Sequence, residues 1–181
     1  MRIVNLELDG LKLIVPDIFG DERGFLLETY NAARYSEAGI RVTFVQDNHS
    51  RSIKGTLRGL HYQAQPGQAK LVQVTLGHIW DVTVDIRPGS STFGRWQALE
   101  LDAEKREQLF IPVGFAHGFC VLSEAAEVQY KVSALYDAKT ECALNYSDPD
   151  LAVRWPVESP ILSARDMRAE SFASFRARVA P

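Results

Sequence analysis

Trp80, Val82, Val84 and Ile86 are apolar, Asp81, Thr83, Asp85 and Arg87 alternate with them, and Pro88-Gly89 ends the run. A period of two belongs to a β-strand, whose successive side chains point to opposite faces. The pattern recurs. Thr56 to Gln63 and Lys70 to Leu76 read as two strands joined by a Pro66-Gly67 loop. Gln108 to Ile111 is a short strand before Pro112-Val113-Gly114. Phe115, His117, Phe119 and Val121 share a face of the next strand; Val128, Tyr130, Val132 and Ala134 share a face of another, opposite Glu127, Gln129 and Lys131. Short strands punctuated by Pro and Gly, without β-α-β alternation, predict an all-β fold: an antiparallel jelly-roll barrel with a few short peripheral helices. One helix is expected at Ala32 to Ala38, with Asn31 as N-cap and Gly39 just past its end, and a second after Ser163.

At 181 residues the chain fits one domain over 1–181, long enough to bury roughly 70% of the surface of the unfolded chain. Twenty basic and 23 acidic residues give a net charge of −3, so no basic field points to nucleic acid or an anionic membrane. Bound anions would have to be held by local arginines. Cys120 and Cys142 are too few for a disulfide framework and lack metal spacing. No apolar run reaches the length of a signal peptide or membrane span, which sets a reducing cytoplasm as the expected compartment.

The inward rows of these strands carry residues that a plain core would exclude. Lys70 heads the row Val72, Val74, Leu76, while His117 and Tyr130 interrupt two others. If these rows converge, they meet in one cavity. Neither a P-loop nor a dinucleotide glycine motif occurs, and no two of His49, His61, His78 and His117 form a His-x-His pair. The expectation is therefore chemistry without a metal or other cofactor. Histidine, lysine and tyrosine in one cavity suit proton abstraction beside a carbonyl. A histidine base works near neutral pH, a lysine cation stabilises the enolate oxygen, and a tyrosine returns a proton from the other face.

The segments "FGDERGFLLETY", "FVQDNHSRS", "LRGLHYQ", "AKLVQV", "STFGRW", "IPVGFAHGFCVLS", "QYKV" and "LSARD" occur in that order. Together they resemble the dTDP-4-dehydrorhamnose 3,5-epimerase family over residues 1 to about 168. The resemblance implies a cofactor-free, cupin-like jelly roll, usually a homodimer, that inverts the two centres flanking the 4-keto group of a dTDP-4-keto-6-deoxy sugar. It puts the base on His61, its orienting carboxylate on Asp166, the enolate-stabilising cation on Lys70 and the proton donor on Tyr130. Nucleotide and sugar contacts fall on Arg23, Glu28, Gln46, Asp47, Asn48, Arg58, His117 and Glu141, with Arg23 and Glu28 acting across the dimer.

Two departures bear on substrate choice. Asn145 to Pro149 reads "NYSDP" where the family commonly has Trp-Asn-Asp-Pro, and Arg165 stands where it often has lysine. Arg165 is taken as a further substrate contact. An alternative is a sibling that inverts only the 3 or only the 5 position. Plainer readings stand beside these roles. Lys70 could guard a strand edge, Tyr130 could be core, and Ser163-x-x-Asp166 fits a helix capping box. His49 and His78 are read as structural, Cys120 as core, and Phe115 and Phe119 as packing.

Overall fold

A computed structural model describes residues 1–179; Ala180 and Pro181, the end of the expected domain, lie outside the described residues. Thirteen strands run in the order β1 (Arg2–Asn5), β2 (Lys12–Val15), β3 (Ile18–Asp21), β4 (Gly24–Leu27), β5 (Gln46–Ile53), β6 (Leu57–Gln63), β7 (Lys70–Leu76), β8 (His78–Asp85), β9 (Trp96–Asp102), β10 (Gln108–Ile111), β11 (Phe115–Val121), β12 (Ala125–Val132) and β13 (Glu141–Ala143). Helix α1 (Ala32–Glu37) lies between β4 and β5; a 3₁₀ turn (Asp166–Arg168) and helix α2 (Phe172–Val179) follow β13. Asn31 caps α1 as expected, its side chain accepting from the Arg34 amide at 3.3 Å. The helix expected after Ser163 is split into the 3₁₀ turn and α2.

The strands form a six-stranded sheet, β1-β2-β10-β7-β12-β5, a five-stranded sheet, β13-β6-β11-β8-β9, and the separate β3–β4 hairpin. Strand pairing is antiparallel throughout these sheets. β6 and β7, read as neighbours in sequence, belong to different sheets, so the Pro66 loop carries the chain between layers. Between the sheets lies a core with Val72, Val74 and Val128 from one layer and Ile79, Phe115, Phe119 and Val121 from the other. The six-stranded sheet is covered outside by a cluster including Tyr35 of α1 and Ile40, packed with Leu71 and Phe110. The other sheet packs Val82, Val84 and Ala116 against Phe172 and Phe175 of α2.

β8 turns its polar row inward. Its alternation is present, but the apolar row faces α2 while Ile79, Asp81, Thr83 and Asp85 take the inner side. A five-stranded sheet with a helical segment on its back has two faces to bury, and here the polar row faces the interior. Asp85, fully buried, is satisfied there by Arg87, Ser90 and Thr92, and the inner row thus holds its loop. Leu76 also departs from the expected inner row: it is 41% exposed at the strand end, where the β7–β12 register shifts between Glu127 and Val128. Ala134 lies beyond the end of β12.

Candidate active site

β6 and β11 run antiparallel with His61 opposite His117. Two glycines let their backbones close up beside this pair. A Cβ on Gly59 would lie 2.5 Å from the Gly118 Cα, and one on Gly118 would lie 2.8 Å from the Arg58 carbonyl oxygen. Gly59 also has φ near +142°, a conformation that L side chains rarely adopt. The register shifts between His117 and Phe119. That break matters because Arg58 and His61, three residues apart, would point to opposite faces of a regular strand. Here both line one cavity of 130 Å³ between the sheets.

Lys70, His117, Tyr130, Glu141 and Arg165 line the same cavity, together with Ser50 and Phe119. Five strands and the segment before the 3₁₀ turn thus supply the expected polar groups. Asp166 stands behind His61, 3% exposed, with its Oδ1 2.5 Å from the imidazole Nε2. The Ser163 hydroxyl accepts from the Asp166 amide at 3.1 Å, so half of the capping-box pattern is real. The carboxylate itself is turned to His61. Burial opposes its ionisation, but hydrogen bonds from His61 and Ser163 outweigh that and hold its pKa below the usual value. An ionised Asp166 accepts, so Nε2 carries a proton and Nδ1 holds the free lone pair. Burial lowers the His61 pKa despite the pull of Asp166, with Arg165 and Lys70 adding to the lowering. The imidazole is accordingly neutral at neutral pH.

Lys70 is 8% exposed, and its ammonium donates to the His61 carbonyl at 3.4 Å. Burial brings its pKa down to about 8, against the attraction of Asp81 and Glu141. This is an interior lysine at the end of a central strand, not an edge guard. Tyr130 is half-buried; burial first and Glu141 second raise its pKa, while Arg58 and Arg165 oppose the rise. Its hydroxyl makes no hydrogen bond among the described residues, unlike a core tyrosine tied to backbone. His117 pairs with a residue that the sequence reading passed over: its Nε2 lies 2.7 Å from Oδ2 of Asp81, 1% exposed. The other Asp81 oxygen is buried without a partner. A carboxylate in the alternating β8 row was the available signal.

The remaining expected contacts lie outside this cavity. Gln46 and Asn48 are hydrogen-bonded at 2.8 Å along β5, on the face that Ser50 shares. Asp47 points the other way and pairs with Lys131 at 2.9 Å, on the rim of a 320 Å³ hollow outside the six-stranded sheet. Arg23 sits at the tip of the β3–β4 hairpin, paired with Asp21 at 2.6 Å. Glu28 follows it and holds Arg34 and Asn31. His49 and His78 pair with Glu127 and Glu100 at 3.1 Å each. Cys120 is buried. Phe119 both packs in the core and lines the cavity.

Chemically, the cavity joins a neutral imidazole backed by a carboxylate, a buried ammonium and a protonated phenol. Such a set can take a proton from carbon, hold the developing oxyanion and return a proton. Among the described residues, no three His, Cys, Asp or Glu side chains gather as metal ligands would.

Comparison with known proteins agrees with this chemistry. The family described as dTDP-4-dehydrorhamnose 3,5-epimerase matches residues 5–174. A Shigella flexneri protein of that name is 48% identical over 174 residues, covering 95% of this chain and 96% of the relative. A Streptomyces niveus dTDP-4-dehydrorhamnose 3-epimerase is 39% identical over 178 residues, covering 97% and 86%. The crystal structure of a Legionella pneumophila dTDP-6-deoxy-D-glucose-3,5-epimerase in complex with dTDP-4-keto-L-rhamnose superposes with a TM-score of 0.95 at 49% identity, covering 99% and 97%.

Proposed function

This chain belongs to the dTDP-4-dehydrorhamnose 3,5-epimerase family, and on that premise we propose how its cavity performs the reaction. The protein is an isomerase that converts dTDP-4-dehydro-6-deoxy-D-glucose to dTDP-4-dehydro-L-rhamnose. His61 removes the proton from a carbon beside the 4-keto group, and the electron pair moves onto the keto oxygen. The Lys70 ammonium stabilises that oxyanion. Asp166 keeps the imidazole in one tautomer and stabilises the imidazolium once formed. Tyr130, whose raised pKa keeps it a phenol, gives a proton to the opposite face of the same carbon. Once His61 has released its proton to water and Tyr130 has regained one from it, repeating the cycle at the second carbon completes the double inversion.

Arg58, His117, Glu141 and Arg165 hold the sugar and diphosphate, and Gln46 and Asn48 extend the site toward the nucleotide. Asp47, on the other face, would serve the nucleotide only at the strand edge. The observation that carries this reading is the His61–Asp166 pair opening onto the same cavity as Lys70 and Tyr130.

The two facing antiparallel sheets support a single jelly-roll domain of cupin type. The working unit is a homodimer. The β3–β4 hairpin leaves Phe19, Phe25 and Leu26 67%, 53% and 72% exposed, an apolar patch at odds with a free surface. Arg23 and Glu28 on and beside that hairpin would then reach a neighbour's nucleotide. The free thiols Cys120 and Cys142 fit a cytoplasmic protein, and no helix among the described residues is long and apolar enough to cross a membrane.

The test is to incubate the protein with dTDP-4-dehydro-6-deoxyglucose in heavy water and locate deuterium by NMR. Incorporation with inversion at carbons 3 and 5 is expected. Incorporation at one carbon alone makes it a single-centre epimerase, as the Streptomyces niveus relative is named, and none at either removes the assignment.

A further inference from the structure

β5 carries a polar row that the reading above uses only in part. Gln46, Asn48, Ser50 and Ser52 alternate along one face of the strand, and the first two are assigned to the nucleotide. Ser52 stands apart from them. It is 7% exposed and lies opposite the core residue Ala126 in the β5–β12 pair. A hydroxyl buried at such a place is costly unless it is hydrogen-bonded. The bond it makes is to Arg58, whose Nε donates to the Ser52 Oγ at 2.9 Å; among the described residues the hydroxyl has no other hydrogen bond. We infer that Ser52 is a positioning residue that holds the Arg58 guanidinium in the cavity, aimed for the diphosphate of the sugar nucleotide.

The bond joins the two layers. β5 edges the six-stranded sheet, while β6, which carries Arg58, belongs to the five-stranded one, so the contact bridges the sheets beside the cavity that Arg58 lines. A guanidinium has five N–H donors. With Nε held, the hydrogens of Nη1 and Nη2 stay free, in the fork that grips phosphate oxygens in pairs. The chemistry of the anchor matters as much as its place. Arg165, the other guanidinium lining the cavity, is ion-paired with Glu141. Arg58, unlike the paired arginines, has no carboxylate within ion-pairing distance among the described residues. A carboxylate at position 52 would hold Arg58 as firmly but cancel the charge that an anion needs. A neutral hydroxyl fixes the direction and leaves the charge whole. The Arg58 side chain is otherwise exposed, so without Ser52 it would sample many rotamers and have to be ordered as the anion binds. Ordering one long side chain at that moment weakens binding about two- to tenfold. This inference rests on the sugar-nucleotide reading for its ligand.

The experiment uses the full-length protein and dTDP, which has the diphosphate without the sugar. Wild type, Ser52→Ala, Arg58→Met and the double variant are compared. Calorimetry gives the dissociation constant of each, and ¹⁵N relaxation of the Arg58 Nε–H reports its order without ligand. Ser52→Ala should bind dTDP about two- to tenfold more weakly than wild type. The same change should have no effect in the Arg58→Met background, since the two residues act as one. In ligand-free Ser52→Ala the Arg58 Nε–H should lose the order it has in wild type. Equal weakening in both backgrounds makes Ser52 a structural part of its strand and overturns the inference. Wild-type affinity in Ser52→Ala overturns it as well, and so does an Arg58 Nε–H that is equally ordered in both proteins. Each of these results leaves the sugar-nucleotide reading standing. Wild-type protein that binds no dTDP removes that reading and the inference together.

Discussion

Asp166→Asn separates catalysis from capping in one substitution. In the structure the carboxylate is 3% exposed and holds the His61 Nε2–H at 2.5 Å, while the turn itself is capped by the Ser163 hydroxyl on the Asp166 amide. Asparagine fits the same volume and leaves that cap intact. What changes is charge and donor direction. The amide can present its NH₂ to Nε2, which then carries the lone pair and aims the proton-bearing nitrogen into the cavity. It also offers no counter-charge to the imidazolium. Losing a competent general base typically costs about 10²–10⁴ in rate, which is about 3–5 kcal/mol of barrier at 1.36 kcal/mol per decade. The folded state keeps its packing and loses one charge-assisted hydrogen bond, worth about 1.5–3 kcal/mol, partly offset because a buried charge no longer needs to be desolvated. The assay is deuterium wash-in at carbons 3 and 5, alongside urea denaturation of both proteins. A loss of exchange of two to four decades at both carbons, with a cooperative unfolding transition retained, is expected. Exchange within threefold of wild type would refute the dyad and leave Asp166 as part of a turn.

Tyr130→Phe keeps the ring in the core and deletes the donor, so deuterium should still wash into the substrate while inversion is lost, most severely at carbon 5. NMR that shows both centres inverted at the wild-type rate would send the search for the acid elsewhere. Lys70→Met should cut exchange by about 10²–10³, the scale of a lost oxyanion donor, with dTDP affinity nearly unchanged; a proportional loss of affinity would make Lys70 a binding residue. The profile of kcat/KM against pH should fall on the acid side below the ordinary histidine range, because the His61 pKa is lowered. It should fall on the alkaline side near 8 as the Lys70 ammonium deprotonates. The sign for stability follows from the same shift. With its folded pKa below 10.5, Lys70 disfavours the fold while charged, and that penalty is relieved between about pH 8 and pH 10.5. Lys70→Met should therefore be the more stable protein at pH 7, and a less stable variant in denaturant titrations would contradict the burial argument. Gly118→Ala must place a Cβ 2.8 Å from the Arg58 carbonyl and 3.0 Å from the Gly59 Cα. Overpacking of this kind costs about 1–3 kcal/mol, and here it should also lower turnover by spreading β6 from β11. Full activity at reduced stability would show that the glycine contact does not position His61.

The alternation in the chain was enough to determine six of the thirteen strands, β6, β7, β8, β10, β11 and β12, because the period of two survives any later arrangement of sheets. Lys70 to Leu76 and Gln108 to Ile111 end where the pattern ends. Asn31 and Gly39 likewise mark α1 through local backbone chemistry that needs no tertiary partner. The ordered motifs around His61, Lys70, Tyr130 and Asp166 made the candidate chemistry legible before any coordinate. What alternation cannot carry is which face of a strand turns inward, since both faces of β8 are buried and only the layer behind it, Phe172 and Phe175 of α2, takes the apolar one. That left Asp81 unread. Nor can a period of two put Arg58 and His61 in one cavity, because three residues separate them; the register break beside Gly59 and Gly118 does so, and it exists only where β6 meets β11. The contact of Arg165 with His61 spans 104 residues, so it was decided by where the segment before the 3₁₀ turn packs against the cavity, where long-range packing sets which charges meet.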